Sequence, residues 1–166
     1  MKIEDALRFG ERERDLIYAA TARSATPYRD RALIELFYHH GPTVRQALSL
    51  EIGHVNFPAG RVYWPSEGRE GRLAPEALSA LAKYVAQERN PRCPALFTTR
   101  LGHPLTLRQV MLLFRRLQDI TGLPVTPFAL RMGSLYRWLE EEPVEAVCGL
   151  MAGRGAAGPR ILRCRP

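Results

Sequence analysis

The helical spacing of apolar residues in the first third of the chain stops at His54 and does not resume until Pro75. Between these points Val55-Asn-Phe57 and Arg61-Val-Tyr-Trp64 flank Pro58-Ala-Gly60. Two short runs rich in β-branched and aromatic residues around a turn read as paired strands, and the polar stretch Ser66–Arg72 leads into a third extended piece. The predicted architecture is therefore α+β, mainly α, with a small three-stranded antiparallel sheet set between helices.

On the N-terminal side, Ile3, Ala6, Leu7, Leu16, Ile17 and Ala20 suggest an amphipathic helix from Ile3 to Ala22 with a weak point at Gly10. Ser24–Pro27 breaks it. A second helix, Tyr28–His40, carries Ala32, Leu33, Leu36 and Phe37 on one face and stops at Gly41-Pro42. Thr43 is a candidate N-cap for a short helix through Val44, Ala47, Leu48 and Leu50. Beyond the sheet, Pro75 suits the first position of a helix that ends near Asn90-Pro91. Leu96–Thr99 is extended. Leu107–Thr121 is helical, with Val110, Leu113, Phe114 and Leu117 inward and Gly122 closing it. Pro127 opens a helix expected to bury Leu130, Leu135, Trp138 and Leu139 and to expose Arg131 and Arg137. A last helix spans Val144–Met151, followed by a Gly/Ala-rich loop to Pro159. The expected organisation is one domain over 1–159 and a short basic tail, 160–166.

With 166 residues and 46% hydrophobic content the chain can bury one proper core. Its formal charge of +7 suits an anionic partner such as nucleic acid or a membrane surface. Lys2 and Lys83 are the only lysines among 24 basic residues. Codon usage in a GC-rich genome gives the same ratio, so the net charge weighs more than the arginine preference. Cys93, Cys148 and Cys164 are odd in number and widely spaced, indicating neither a disulfide framework nor a zinc site. The start of the chain is acidic rather than signal-like, and no apolar run approaches the ~20 residues that cross a bilayer. These features lead to the expectation of a soluble cytoplasmic protein, associated with the nucleoid, needing no metal or cofactor.

Several phrases, in order, resemble the catalytic domain of tyrosine recombinases, the phage integrase family. Arg29-Asp-Arg-Ala-Leu-Ile-Glu-Leu-Phe-Tyr-His-His-Gly41 is similar to that family's R-D-R-A-L-L-x-L-L-Y-x-T-G opening. Val44–Leu50 matches the helix after it, and Val55–Pro75 the family's three-stranded sheet. Leu96-Phe97 resembles a later L-F pair, and Thr126-Pro-Phe-Ala-Leu-Arg131 the T-P-H-D-L-R box. The resemblance runs from about Glu4 to Arg154. It implies a helical catalytic-like domain without the small N-terminal core-binding domain that completes a C-shaped clamp on duplex DNA.

In that family a tyrosine attacks the scissile phosphate, two arginines hold its non-bridging oxygens, a lysine protonates the leaving oxygen, and two histidine or tryptophan positions assist. Carried over residue by residue, the first arginine falls on Thr43, the lysine at or near Glu67, the first histidine on Phe128 and the later one on Arg154. Arg131 alone keeps its type. Arg45, two positions beyond Thr43, lies about 200° around the helix. The nucleophile would fall near Leu162 or Arg163, and every tyrosine lies upstream of it, Tyr136 being the last. Tyr136 reads as a packing residue, His39-His40 as the cationic end of a helix, and Arg115-Arg116 as a solvated face. The resemblance thus yields the expectation of a chain that is not an enzyme.

What it leaves is binding of double-stranded DNA, with Arg131 and Arg154 at the former reaction centre, Arg69 and Arg72 in the hairpin, and Arg45, Arg100 and Arg108 outside it. Regulation of transcription or modulation of recombination and integration would follow, with an active recombinase or a second copy as possible partner. The alternative is a module that docks on an active recombinase without touching DNA.

Overall fold

The computed structural model describes residues 9–141. In chain order it contains α1 (Glu11–Thr21), α2 (Pro27–His40), α3 (Val44–Leu48), a 3-10 turn (Ile52–His54), β1 (Val55–Asn56), β2 (Arg61–Trp64), β3 (Arg69–Arg72), α4 (Pro75–Gln87), α5 (Leu107–Thr121) and α6 (Pro127–Glu141). The expectations for residues 1–8, for the helix Val144–Met151, for the loop and tail after it, and for Arg154 lie outside the described residues.

α2 is the axis of the fold. Pro27 starts it, where a missing N–H costs nothing, and every residue from Ala32 to Tyr38 is buried. A helix apolar on all sides must be surrounded, and α1, α4 and α6 pack around this one. Phe37 meets Phe114 of α5 edge-on at 5.6 Å. The one acid within that run, Glu35, accepts from Tyr18 Oη at 2.5 Å and Arg31 Nε at 2.9 Å, with His39 Nε2 at 3.2 Å. Burial pushes this carboxyl up, but the nearby His39 and the hydrogen bonds from Tyr18 and Arg31 outweigh it and hold the group below the usual carboxylate range.

The sheet is antiparallel in the order β1-β2-β3, with Val55 opposite Val62, and Arg61, Val62, Tyr63 and Trp64 opposite Arg72, Gly71, Glu70 and Arg69. β2 alternates outward Arg61 and Tyr63 with inward Val62 and Trp64, the period of a strand with one face on the core. β3, Arg-Glu-Gly-Arg, has no apolar residue, so its place follows from β2.

Among the described residues, four arginine side chains tie the second half of the chain to main-chain carbonyls of the first. Arg100 donates to Ala25 O, Arg116 to Arg23 O at 2.9 Å, Arg131 to Gly41 O at 2.5 Å, and Arg137 to Tyr38 O. No helix among the described residues is long and apolar enough to cross a membrane.

Several boundaries differ from expectation. Gly10 is not a weak point within one helix. It is the N-cap of α1, its N–H donating to Glu13 Oε2 at 3.0 Å. α3 stops at Leu48, because Leu50 instead accepts from Leu96 N at 2.8 Å, beside a bridge between Glu51 and Ala95. α4 ends at Gln87, where Glu88 N and Arg89 N both turn back to Tyr84 O. On α6, Leu139 is exposed and Trp138 half-buried, while Arg131 and Arg137, expected on the solvent face, are half-buried against the end of α2.

Candidate nucleic-acid interface

α2 ends at Gly41, whose φ of 53° is left-handed and whose N–H returns to Phe37 O at 3.0 Å. Glycine is needed here for two reasons. A side chain at positive φ is strained, and a Cβ would collide with Oγ of buried Ser134 on α6. The two helices therefore touch at this point, and Arg131, three residues before Ser134, meets the Gly41 carbonyl.

The other half of the site is the hairpin. Arg69 Nε donates to Glu67 Oε2 at 2.5 Å, and Gln46 Nε2 on α3 donates to Glu67 Oε1 at 2.9 Å. Arg61 Nη1 pairs with Glu70 at 2.8 Å on the outer face, both groups about half exposed. Between hairpin and helices lies an open cleft of about 600 Å³. Arg69 and Arg72 line it from β3, Arg131 and Arg137 from α6, with Gln46, Glu67 and His40 between them.

Electrostatics distinguish these groups. Burial disfavours the charged form of Arg131 and lowers its pKa, while the neighbouring Glu67 opposes that shift. Burial likewise lowers Arg137, whose guanidinium sits 3.9 Å from the centre of the Tyr38 ring. A guanidinium stays protonated through such shifts. His40 does not behave as a cationic helix end. Its Nε2 accepts from Ala74 N at 3.1 Å, and burial, aided by His39, pulls its pKa down to about 3, so the ring is neutral.

Of the residues singled out from sequence, Arg69, Arg72, Arg131 and Glu67 meet at the cleft. Arg45, Arg100 and Arg108 do not line it, although all three are exposed. Arg100 is drawn to the Ala25 carbonyl. Thr43 is the N-cap of α3, accepting from Gln46 N at 3.2 Å in a capping box, and Phe128 is exposed away from the cleft. Tyr136 is half-buried on α6. Among the described residues no group of three or more His, Cys, Asp or Glu could hold a metal.

Sequence reasoning missed Arg137, Gln46 and His40. Arg137 is six positions from Arg131, about 120° away around a helix, and spacing alone separates them. Both reach the cleft because the end of α2 lies between them. Gln46 was detectable as the closing glutamine of a T-x-x-Q capping box, but its second contact, with Glu67, is long-range.

The model of the phage integrase family matches residues 8–152. The chain belongs to this family. It is 34% identical over 108 residues to tyrosine recombinase XerC of Xylella fastidiosa, covering 62% of this chain and 37% of XerC. The fold is that of the XerA recombinase, with a TM-score of 0.73 at 18% identity, covering 90% of this chain and 55% of XerA. It is also that of the Tn1549 transposon integrase, solved with a circular-intermediate DNA, with a TM-score of 0.72 at 14% identity, covering 90% and 58%.

These matches correct one expectation. Tyrosine recombinases are enzymes, and this family member is aligned with only about 37% of the length of XerC. The expectation that the chain is not an enzyme is therefore withdrawn.

Proposed function

We propose that this family member binds double-stranded DNA through the cleft at Arg131 and serves DNA recombination, gripping backbone phosphates more than reading bases. The observation that carries this reading is the convergence of Arg69, Arg72, Arg131 and Arg137 from two separate elements on one open cleft. Guanidinium groups pair with phosphate through two parallel hydrogen bonds, and such contacts set position rather than sequence. The net charge of +7 adds a general attraction for the duplex. A grip of this kind suits modulation of recombination better than repression at one operator, which needs base contacts.

The test is titration of a fluorescent duplex over a range of salt. Log affinity is expected to fall linearly with log salt, with a slope of about −0.9 for each phosphate neutralised. Arg131→Ala should weaken binding to every duplex alike and make the slope shallower by about 1. Absence of binding at low salt would eliminate the reading. It would favour docking on an active recombinase, for which the exposed Leu107, Met111 and Leu112 of α5 offer an apolar surface.

A further inference from the structure

The turn between β2 and β3 is closed by Glu67 N donating to Trp64 O at 3.1 Å and reversed at Gly68, whose φ is 62°. Pro65, Ser66 and Gly68 on this turn are exposed, as a polar hairpin tip should be. Glu67 is the exception, with a side chain only 15% exposed. Taking a carboxylate out of water is unfavourable unless hydrogen-bonding partners replace the water. Here the Gln46 amide holds one oxygen at 2.9 Å and the Arg69 guanidinium the other at 2.5 Å. Arg131 lines the same cleft and feels the carboxylate's charge. Donors from α3 and β3, with a cation from α6, thus surround a singly charged group with two acceptor oxygens. A phosphodiester presents the same charge and a similar pair of non-bridging oxygens.

We propose that Gln46, Arg69 and Arg131 form an anion site that the Glu67 carboxylate fills until a backbone phosphate of DNA displaces it. This rests on the DNA-binding reading above and adds a built-in competitor to it. Exchange of one monoanion for another keeps the arginines paired in both states, so the cleft is held in shape without ligand. It also makes apparent affinity weaker by the fraction of molecules in which Glu67 has withdrawn.

The full chain and its Glu67→Gln variant test this with two readouts. In thermal melts at low ionic strength, millimolar sulfate should raise the Tm of Glu67→Gln clearly more than that of the wild type, because the vacated site accepts the ion. Equal shifts would overturn the proposal. In duplex titrations Glu67→Gln should bind about tenfold tighter, as expected if about one wild-type molecule in ten is open. Glu67→Ala should do the same, which separates loss of charge from any new bond made by the glutamine. A wild type that binds DNA and variants that bind no tighter would also overturn it. If sulfate stabilises Glu67→Gln selectively while neither protein binds duplex, the anion site stands and DNA binding falls.

Discussion

The two sides of the cleft hold their arginines by different means. On the helical side Arg131 and Arg137 donate to the carbonyls of Gly41 and Tyr38, main-chain atoms at the end of a buried helix. On the hairpin side Arg69 pairs with the carboxylate of Glu67. A carbonyl fixed in the backbone can orient a guanidinium but not neutralise it. A carboxylate neutralises it and can be exchanged for another anion. The comparison teaches that one side fixes where a phosphate would sit and the other can yield to admit it.

The sharpest way to break the fixed side is Gly41→Ala. Strain at φ 53° and displacement of buried Ser134 are expected to cost about 3 kcal/mol in urea unfolding. Duplex affinity should fall with it in the folded fraction. An unchanged midpoint would mean that the helices do not meet as described.

Acid should act on the same side next. His40 has a folded pKa of about 3 against an ordinary 6.5. As pH falls below 6.5 the unfolded chain takes up a proton that the folded chain refuses. Stability is therefore complete above that value and is lost towards pH 3, by at most about 1.4 kcal/mol per unit. Between pH 6.5 and 5 the loss should reach about 2 kcal/mol, and His40→Gln, which can still accept from Ala74 N, should flatten the profile.

The hairpin provides the control. Gly68 has nearly the same left-handed backbone as Gly41, but nothing lies within 4 Å of its missing Cβ. Gly68→Ala should therefore cost only the conformational strain, about 1 kcal/mol. A cost equal to that of Gly41→Ala would erase the distinction between the two sides. Smallest in stability is Arg72→Ala, an exposed residue, with an effect within about 0.5 kcal/mol. Its effect should appear instead in the salt dependence of duplex binding, shallower by about 1 in slope.

Much of this was legible in the sequence where the signal is local. Thr43 with Gln46 and Thr106 with Gln109 mark helix starts, and both form capping boxes. Pro27 and Pro75 stand at first helical positions, and Gly41 and Gly122 close helices in left-handed conformations. The site was legible only in part, because a cleft is made by residues distant in the chain. Nothing near Arg131 reveals that its guanidinium turns to a carbonyl ninety positions earlier. Leu139 satisfies a helical apolar pattern, yet the neighbour needed to cover it is missing among the described residues, and it stays exposed. Arg45, Arg100 and Arg108 are exposed but lie outside the cleft lining, which their charge and place in the sequence do not reveal.

The four arginine tethers also bear on how the chain folds. They span 75 to 99 residues, from Arg100 back to Ala25 and from Arg137 back to Tyr38. Closing loops of that length carries an entropic penalty that local helix formation does not. During synthesis the carbonyls at the ends of α1 and α2 emerge long before the guanidinium groups that will bond them. The N-terminal helices can form early and meet through Tyr18 and Glu35, but the carbonyls of Tyr38 and Gly41 gain their arginines only once α6 has been made, so the helical side of the cleft waits for that helix.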